Sequence, residues 1–324
     1  MKSKTRFFLI LLALAAAMLA GCSEDTTGTS VGDGSFATLR TYLIENDLDL
    51  PDILSSWTIL ASDVEANPSM YYIMDIRADS TYDRGHIDGA VLSTLGSILT
   101  DATQCGGKPI VVACLSGQVA GHAVAALRLS GYSDAKVLKW GMSAWNADFD
   151  VWTRNTGSSA VGDDNWSMGD LPALASYEYP SLVTTATDGA GILAERVAAM
   201  LAGDFQGVNS STVLATPSNY FLNIYLDATD VTTYGHIDGS YRIHPLSLAG
   251  NEFKHYNPDE TVVTYCWSGQ TSSVVTAYLT VLGYDAKSLK YGVNSLIYSE
   301  LAAHNWTGPA DYSYVSTTLA LMAN

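Results

Sequence analysis

Short runs of apolar residues, separated by segments with helical spacing, divide the chain into alternating strands and helices. The runs that predict buried strands are residues 71–76, 110–113, 135–138, 221–225 and 261–265. Residues 121–129 and 274–282 carry apolar side chains at helical spacing, and Gly131 and Gly283 stand where a C-terminal cap is expected. Strand–helix–strand units of this kind give parallel sheets covered by helices, so the pattern predicts an α/β fold.

The second half of the chain repeats the pattern of the first. The pentapeptide GHIDG occurs at 85–89 and again at 235–239, an offset of 150 residues. Shorter matches follow in the same order at offsets of 151 and 152, including Ser-Gly-Gln at 116–118 and 268–270. Ordered matches at a nearly constant offset indicate a duplicated unit.

Composition supports two domains and argues against nucleic acid as a partner. A chain of 324 residues with 48% hydrophobic residues can bury two full cores. We predict one domain at 36–155, a second at 176–324, and a linker at 156–175 that begins rich in Gly, Ser and Asp. The net charge of −17 repels phosphate backbones, so we expect no nucleic-acid partner.

The N-terminus has the layout of an export signal. Three cations precede an apolar stretch at 7–20, which is too short for a confident transmembrane helix. LAGC at 19–22 resembles the lipobox of bacterial lipoproteins, which implies removal of residues 1–21 and a lipid on Cys22. We expect residues 22–35 to form a flexible tether and the protein to be exported and lipid-anchored, at the outer membrane on its periplasmic or surface side. The alternative is ordinary cleavage and secretion.

Two cysteines, Cys114 and Cys266, occupy the same place in the two repeats. Each follows a predicted strand and precedes a predicted helix, where N–H groups of the loop can turn inward and the helix dipole is positive. A thiolate in that cradle is expected to have a lowered pKa and to act as a nucleophile. Gly117 and Gly269 permit the backbone angles that such a loop needs. The alternatives are two inert buried cysteines, or a disulfide between them.

The first repeat resembles the rhodanese family of sulfurtransferases in an ordered set of short motifs. These are DIR at 75–77, GHIDGA at 85–90, VVAC at 111–114, Gly117, GY at 131–132 and KWGMSAW at 139–145. The resemblance implies two homologous domains, each a central parallel β-sheet flanked by α-helices. It also implies a cysteine that takes a sulfane sulfur as a persulfide and passes it to a thiol or another nucleophile.

The resemblance makes the residues around each cysteine candidate persulfide-binding groups. They are Leu115, Ser116, Gly117, Gln118, Val119 and Ala120 in the first loop, and Trp267, Ser268, Gly269, Gln270, Thr271 and Ser272 in the second. The second loop offers more hydroxyl donors, which favours Cys266 over Cys114 as the nucleophile. The first repeat keeps Asp75 and Arg77, which we expect to form a structural ion pair.

Both loops depart from the family pattern in one respect. Where family members carry a cation five residues after the cysteine, this chain has Val119 and Thr271. The nearest candidate cation is His122, so thiosulfate is in doubt as the donor, and backbone amides and hydroxyls would have to hold the persulfide alone. His86 and His236, in the two GHIDG turns, are expected to be structural hydrogen-bonding groups.

Three functions compete at this stage. The leading hypothesis is an extracytoplasmic sulfurtransferase or sulfur carrier, with a sulfane donor, a nucleophilic acceptor and no cofactor. The second is a non-catalytic lipoprotein that docks on a membrane or redox protein. A cysteine-dependent phosphatase is disfavoured because neither loop has an arginine. The histidines show no zinc-ligand spacing with the cysteines, so we expect no metal site.

Overall fold

Two open parallel sheets, one in each repeat, form the frame of the computed structural model, which describes residues 34–317. The first repeat contains, in chain order, α1 (Gly34–Glu45), α2 (Leu50–Ile53), β1 (Thr58–Ile59), α3 (Ala61–Ala66), β2 (Tyr72–Asp75), α4 (Asp79–Arg84), β3 (Val91–Leu92), α5 (Ile98–Ala102), β4 (Ile110–Ala113), α6 (Gln118–Leu129) and β5 (Lys136–Leu138). Its strands lie in the order β1-β5-β4-β2-β3, and all neighbours are parallel.

The second repeat has the same strand order. After β6 (Trp166–Ser167) it contains α7 (Gly189–Ala202), β7 (Gly207–Val208), α8 (Ser210–Ala215), β8 (Phe221–Ile224), α9 (Ala228–Tyr234), β9 (His236–Ile237), β10 (Val262–Tyr265), α10 (Gln270–Val281) and β11 (Ala286–Leu289). Its four parallel strands lie in the order β7-β11-β10-β8, and one bridge between Asn223 and Tyr241 takes the place of β3. The predicted fold, two homologous α/β units with parallel sheets, is confirmed.

The central strands are buried on both faces, which explains their unbroken apolar sequence. All four residues of β4 are buried, and the same is true of β10. Helices cover both faces of such sheets, so alternation between polar and apolar positions is lost.

The two helices that follow the cysteines pack against each other and join the repeats. At Gly121 in α6, a Cβ atom would overlap Ser273 Oγ of α10 and lie 3.0 Å from the carbonyl oxygen of Gln270. Glycine therefore allows the two helix backbones to approach closely. One apolar core runs from the first sheet through α6 and α10 to the second sheet, and it includes Val112, Val124 and Val275.

The segment that follows each repeat lies on the other repeat. In the linker arm (residues 157–167), β6 pairs antiparallel with β9, and the N–H of Ala160 donates to Leu296 O at 2.9 Å. In the C-terminal arm (residues 309–316), the N–H of Tyr312 donates to Trp145 O at 3.0 Å. There Val315 also forms a two-way backbone bridge with His86. The predicted linker is therefore largely packed on the second repeat.

The described part of the chain starts inside the predicted tether. Helix α1 begins at Gly34, and Ser35 and Phe36 are buried, so these positions belong to the folded domain. The predicted signal peptide and the predicted lipidation site, Cys22, lie outside the described residues. Between residues 34 and 317, no helix is long and apolar enough to cross a membrane.

Candidate functional site

The sulfur of Cys114 lies in a cradle of backbone N–H groups at the end of β4. The N–H of Gly117 points at Sγ from 3.1 Å, and that of Ala120 from 3.4 Å. Gly117 has a φ of +84° and immediately precedes α6, so the left-handed glycine turns the chain from the loop into the helix. For this reason α6 starts at Gln118, three residues before the predicted start.

The loop that follows β5, at residues 141–143, holds the backbone of Cys114 and Leu115. The N–H of Met142 donates to Cys114 O at 2.7 Å, and that of Ser143 donates to Leu115 O at 3.1 Å. Gly141, with a φ of +67°, makes this approach possible, because a Cβ there would overlap Cys114 O. The loop is therefore held before any ligand arrives.

Cys266 has the same backbone frame but different neighbours. Its Sγ accepts the N–H of Ser272 at 3.3 Å and lies 3.7 Å from the Ser272 hydroxyl, which is 2.8 Å from that of Ser288. Ala120 and Val137 occupy the two equivalent positions beside Cys114. A buried pair of hydroxyls therefore supports Cys266, whereas only backbone donors reach Cys114.

Cys114 lines a cavity of about 450 Å³ that lies between the repeats. The thiol itself is only 3% exposed, and Leu115, 39% exposed, borders the cavity beside it. Phe205, Lys290 and Tyr291 reach the cavity from the second repeat. Cys266, which is 2% exposed, does not line this cavity.

Three cations surround the cavity, and none of them belongs to the loop after the cysteine. They are Arg77, Arg154 and Lys290. Within the described residues, neither Arg154 nor Lys290 forms an ion pair with a carboxylate. Neither Arg154 nor Lys290 was predicted from the sequence, and the expectation that backbone amides and hydroxyls alone would stand near the sulfur is wrong for Cys114. A lysine precedes an aromatic residue and a glycine at equivalent positions of the two repeats, in Lys139-Trp140-Gly141 and Lys290-Tyr291-Gly292. This repetition was visible in the sequence, but only the fold shows that Lys290 lines the cavity at Cys114 of the other repeat.

Arg77 is held in place and still has donor capacity. Its guanidinium forms a buried ion pair with Asp75 at 2.6 Å, as expected, and donates to Gly85 O at 2.6 Å. It also lies over the Phe149 ring at 4.9 Å from the centroid. Its Nη1 is buried without a hydrogen-bond partner, although such groups are nearly always satisfied. Arg77 therefore braces the first repeat and lines the cavity.

His122 supplies no positive charge. Burial lowers its pKa to about 4, so the imidazole is neutral at physiological pH. It does not line the cavity.

The predicted lowering of the cysteine pKa is wrong for Cys114. Burial raises the pKa of this thiol above its ordinary value, and the nearby negative charge of Asp75 adds to the shift. The N–H groups of Ala120 and Gly117 act in the opposite direction without reversing it. A helix start and inward N–H groups are visible in sequence, but the desolvation that outweighs them depends on packing.

The glutamines predicted to bind the persulfide reach across the domain interface. Gln118 Oε1 accepts the N–H of Tyr291 at 2.8 Å, and Gln270 Oε1 accepts the N–H of Trp140 at 2.7 Å. Their amide nitrogens donate to Ser116 Oγ and Ser268 Oγ, both at 3.0 Å. The predicted loop serines are thus engaged by the glutamines in both repeats.

The remaining predicted loop residues lie in different surroundings. Val119 lines the cavity, whereas Gly269 caps α10 with a φ of +73°. Thr271 lies half-buried in the first turn of that helix. Trp267 stacks on His304 with ring centroids 4.7 Å apart. It does not line the cavity at Cys114.

Both histidines of the GHIDG turns face backbone carbonyls. His86 Nδ1 lies 2.9 Å from Tyr82 O, and its ring stacks on Tyr82. His236 places its two ring nitrogens 3.0 Å from Ile237 O and 3.2 Å from Gly169 O. Neither lines the cavity, which agrees with a structural role.

The described cysteines are free thiols. Cys105, Cys114 and Cys266 form no disulfide, so the alternative of a Cys114–Cys266 bridge is not realised in this structure. Residues 34–317 contain no group of three or more His, Cys, Asp or Glu side chains placed to hold a metal ion.

Comparisons with known proteins match both repeats. The family model of the rhodanese-like domain matches residues 56–148 and 217–297, which together exceed half of the chain. Among solved structures, SseA from Escherichia coli, described under 3-mercaptopyruvate sulfotransferases, is 14% identical, with 72% of this chain and 97% of that chain covered and a TM-score of 0.25.

A thiosulfate sulfurtransferase from Pseudomonas aeruginosa is also 14% identical, with 89% of this chain and 52% of that chain covered and a TM-score of 0.28. The Alr3790 protein from Anabaena is 27% identical over 28% of this chain and 77% of its own, with a TM-score of 0.26. A search of curated proteins found no match. With both repeats matched by the same family model, this chain belongs to the rhodanese-like family and contains two rhodanese-like domains in tandem.

Proposed function

We propose that this protein is a sulfurtransferase in which Cys114 accepts sulfur from an anionic sulfane donor. The observation that supports it is the cavity at Cys114, where Arg154 and Lys290 have no carboxylate partner and Arg77 has an unpaired N–H group. Unpaired cations beside a nucleophile suit a donor whose leaving group is an oxyanion.

The proposed first step conserves atoms and charge. The Cys114 thiol loses its proton to water, and the thiolate attacks the outer sulfur of a donor such as thiosulfate. The bond between the two donor sulfurs breaks and its electron pair leaves with sulfite, while Cys114 becomes a persulfide. The N–H groups of Gly117 and Ala120 lie where they can hold the sulfur anion, and Arg154 and Lys290, which line the cavity, supply positive charge for the departing sulfite.

In the second step an acceptor thiolate attacks the terminal sulfur of the persulfide. The acceptor leaves with that sulfur as its own persulfide, and the Cys114 thiolate is restored. No electrons are exchanged with an outside oxidant or reductant, so the cycle needs a donor and an acceptor and no redox cofactor.

The decisive measurement is the mass of individual cysteine peptides after exposure of the full chain to thiosulfate. We expect the mass of one additional sulfur on the Cys114 peptide, and none after Cys114→Ser. Sulfur on the Cys266 peptide alone would move the function to the second repeat. No added sulfur with thiosulfate or with glutathione persulfide would contradict the proposal.

A matched pair of lysine variants tests the role of the second repeat. Lys290→Met should raise the KM for thiosulfate by about tenfold or more, since one charge-assisted contact is worth roughly 1.5–3 kcal/mol. Lys139 holds the equivalent place in the first repeat, lies half-buried near the Trp140 ring and does not line the cavity. Lys139→Met should therefore leave KM within about twofold, and equal effects of the two changes would contradict the assignment of Lys290.

A second candidate is a non-catalytic module, and the burial of both thiols favours it. Cys114 and Cys266 are each at most 3% exposed. Such a module would dock on a membrane or redox protein through surfaces other than the cysteine loops. The peptide-mass experiment separates the two functions, because a module without catalysis gains no sulfur at either cysteine.

We also propose that the protein is exported and anchored by a lipid on Cys22. The proposal rests on LAGC at 19–22 and on the apolar stretch before it. Mass analysis of the N-terminal peptide from membranes tests it: a diacylated Cys22 supports the anchor, and an unmodified chain beginning at Met1 contradicts it.

A further inference from the structure

We infer that Gln118 is a positioning residue that holds the Lys290–Tyr291 segment of the second repeat over Cys114. The inference rests on the proposed function, in which Lys290 faces the donor. It gives the second cysteine loop a role as well, because each loop holds the Lys-aromatic-Gly segment of the other repeat through its glutamine.

The Lys290–Tyr291 segment is held from two sides. The N–H of Lys290 donates to Val208 O at 2.9 Å, within its own repeat, and its Nζ lies 3.4 Å from Asn209 Oδ1. The next N–H, that of Tyr291, donates across the interface to Gln118 Oε1 at 2.8 Å. Tyr291 has a φ of +62°, an uncommon conformation for a residue with a side chain. The bond from Gln118 thus fixes the position at which the chain turns toward the cavity.

Gln118 connects this bond directly to the nucleophile loop. It is the first residue of α6, and the residue before it, Gly117, donates its N–H to Cys114 Sγ. Its amide nitrogen donates to Ser116 Oγ, so both polar atoms of the buried side-chain amide are engaged. A shift of the second repeat would therefore have to break this part-buried hydrogen bond, whose acceptor stands at the start of the helix after Cys114.

The equivalent contact from the second repeat, made by Gln270, has a different consequence for the cavity. Gln270 Oε1 accepts the N–H of Trp140, and its side chain fills the space beside Gly117, where a Cβ would overlap Oε1. The lysine before Trp140 does not line the cavity at Cys114. The two glutamines thus hold equivalent segments, and only the segment held by Gln118 brings a cation to Cys114.

The test compares alkylation of Cys114 by a negative and by a neutral reagent, so it requires no sulfur transfer. Iodoacetate and iodoacetamide react with the same thiolate, and the ratio of their rates at the Cys114 peptide measures the positive potential in the cavity. Lys290→Met should lower this ratio by about threefold to fivefold, the effect of one nearby charge in a largely aqueous setting. Gln118→Met should lower it by a similar factor, through displacement of Lys290.

The double variant distinguishes positioning from a direct effect. If Gln118 acts through Lys290, adding Gln118→Met to Lys290→Met changes the ratio no further. If the two changes multiply, Gln118 acts on the anion or the loop by itself, and the inference is overturned. The two proposals can fail separately. If no sulfur is transferred but the double variant has the same alkylation ratio as Lys290→Met, the proposed function is wrong and the positioning role of Gln118 is supported.

Amide exchange in a milder variant provides a second test if Gln118→Met folds poorly. In Gln118→Asn, whose side chain is one carbon shorter, the Tyr291 amide should exchange with solvent at least about tenfold faster, because it loses its acceptor. The Trp140 amide, held by Gln270, serves as the control in the same molecule and should change far less. Equal acceleration of both amides would show general loosening of the interface and would contradict a specific role for Gln118.

Discussion

At the residue scale, the chemistry of Cys114 reflects a balance between burial and hydrogen bonding. The N–H groups of Gly117 and Ala120 stabilise a negative sulfur, while desolvation and the charge of Asp75 oppose it. Desolvation prevails, so the Cys114 thiol is neutral at physiological pH. Arg77 lines the same cavity, and its buried Nη1 has no hydrogen-bond partner.

The raised pKa predicts an alkylation profile displaced to high pH. The thiolate is the reactive form, so the rate of reaction of Cys114 with iodoacetamide should rise through a midpoint above 9.0, the ordinary value for this thiol. The same peptide in the urea-unfolded chain should show a lower midpoint, because its thiol is fully hydrated. Peptide-resolved mass spectrometry across pH measures both curves. A folded-state midpoint at or below the unfolded one would refute the desolvated site.

Sequence revealed the part of the site that is local. Strand β4, the cysteine that follows it, and Gly117 lie within a few residues of one another, so their pattern predicts the cradle. Arg154 and Lys290 could not be found in that way. The tertiary fold of the first repeat brings Arg154 to the cavity at Cys114, and the packing of the two repeats brings Lys290 there. The sign of the pKa shift was missed for the same reason, since it depends on how much protein surrounds the sulfur.

At the element scale, the contact between α6 and α10 determines how the cysteine loops face each other. The sequence indicated both helices from their periodicity but placed their starts too late, at 121 and 274. It could not reveal the crossing point, because Gly121 is identified as a contact only when Ser273 lies opposite. The two-residue strands β1, β3 and β7 also carry too little pattern to be recognised, although each pairs with a longer strand.

Gly121→Ala should destabilise the interface, and a second substitution should relieve part of the cost. The new methyl group overlaps Ser273 Oγ, so we expect a loss of about 1–3 kcal/mol in the free energy of unfolding. Ser273→Ala alone removes a 2.7 Å hydrogen bond to Gln270 O and should cost about 1 kcal/mol.

The double variant should be more stable than the sum of the single changes allows, because the overlapping hydroxyl oxygen is gone. The new Cβ then lies 3.0 Å from Gln270 O and 3.4 Å from the Cβ of residue 273. Thermal unfolding of the four proteins measures this coupling. Strictly additive shifts in Tm would show that the two helices do not meet at Gly121.

At the scale of the whole molecule, the contacts that link the repeats include the α6–α10 helix pair, the crossed glutamines and the two arms. The arms are the least expected of these from sequence. The linker composition is typical of a flexible connector, yet β6 pairs with β9. The C-terminal arm carries Tyr314, whose ring contacts Phe149 at 4.8 Å between centroids.

Tyr314→Ala should loosen the first repeat although the residue lies in the sequence of the second. The ring covers Gly85 and Phe149, and its hydroxyl donates to Asp148 at 2.6 Å. We expect faster amide exchange at His86, whose N–H is bonded to Val315 O, by about tenfold or more. Amides of β10 provide the internal reference and should keep their rates. Faster amide exchange in β10 with an unchanged rate at His86 would contradict the packing of the C-terminal arm on the first repeat.

Because the linker arm and the C-terminal arm each pack on the repeat that they do not follow, a shorter version of this protein would lack a contact surface. In a chain reduced to a single repeat, the arm at its C-terminal end would have no repeat to pack on. The backbone beside its GHIDG turn would also lose the arm that pairs with it. Two such molecules could satisfy each other by trading these segments, as in domain-swapped dimers. The tandem protein fulfils that requirement within one polypeptide, and its pairing is therefore independent of concentration.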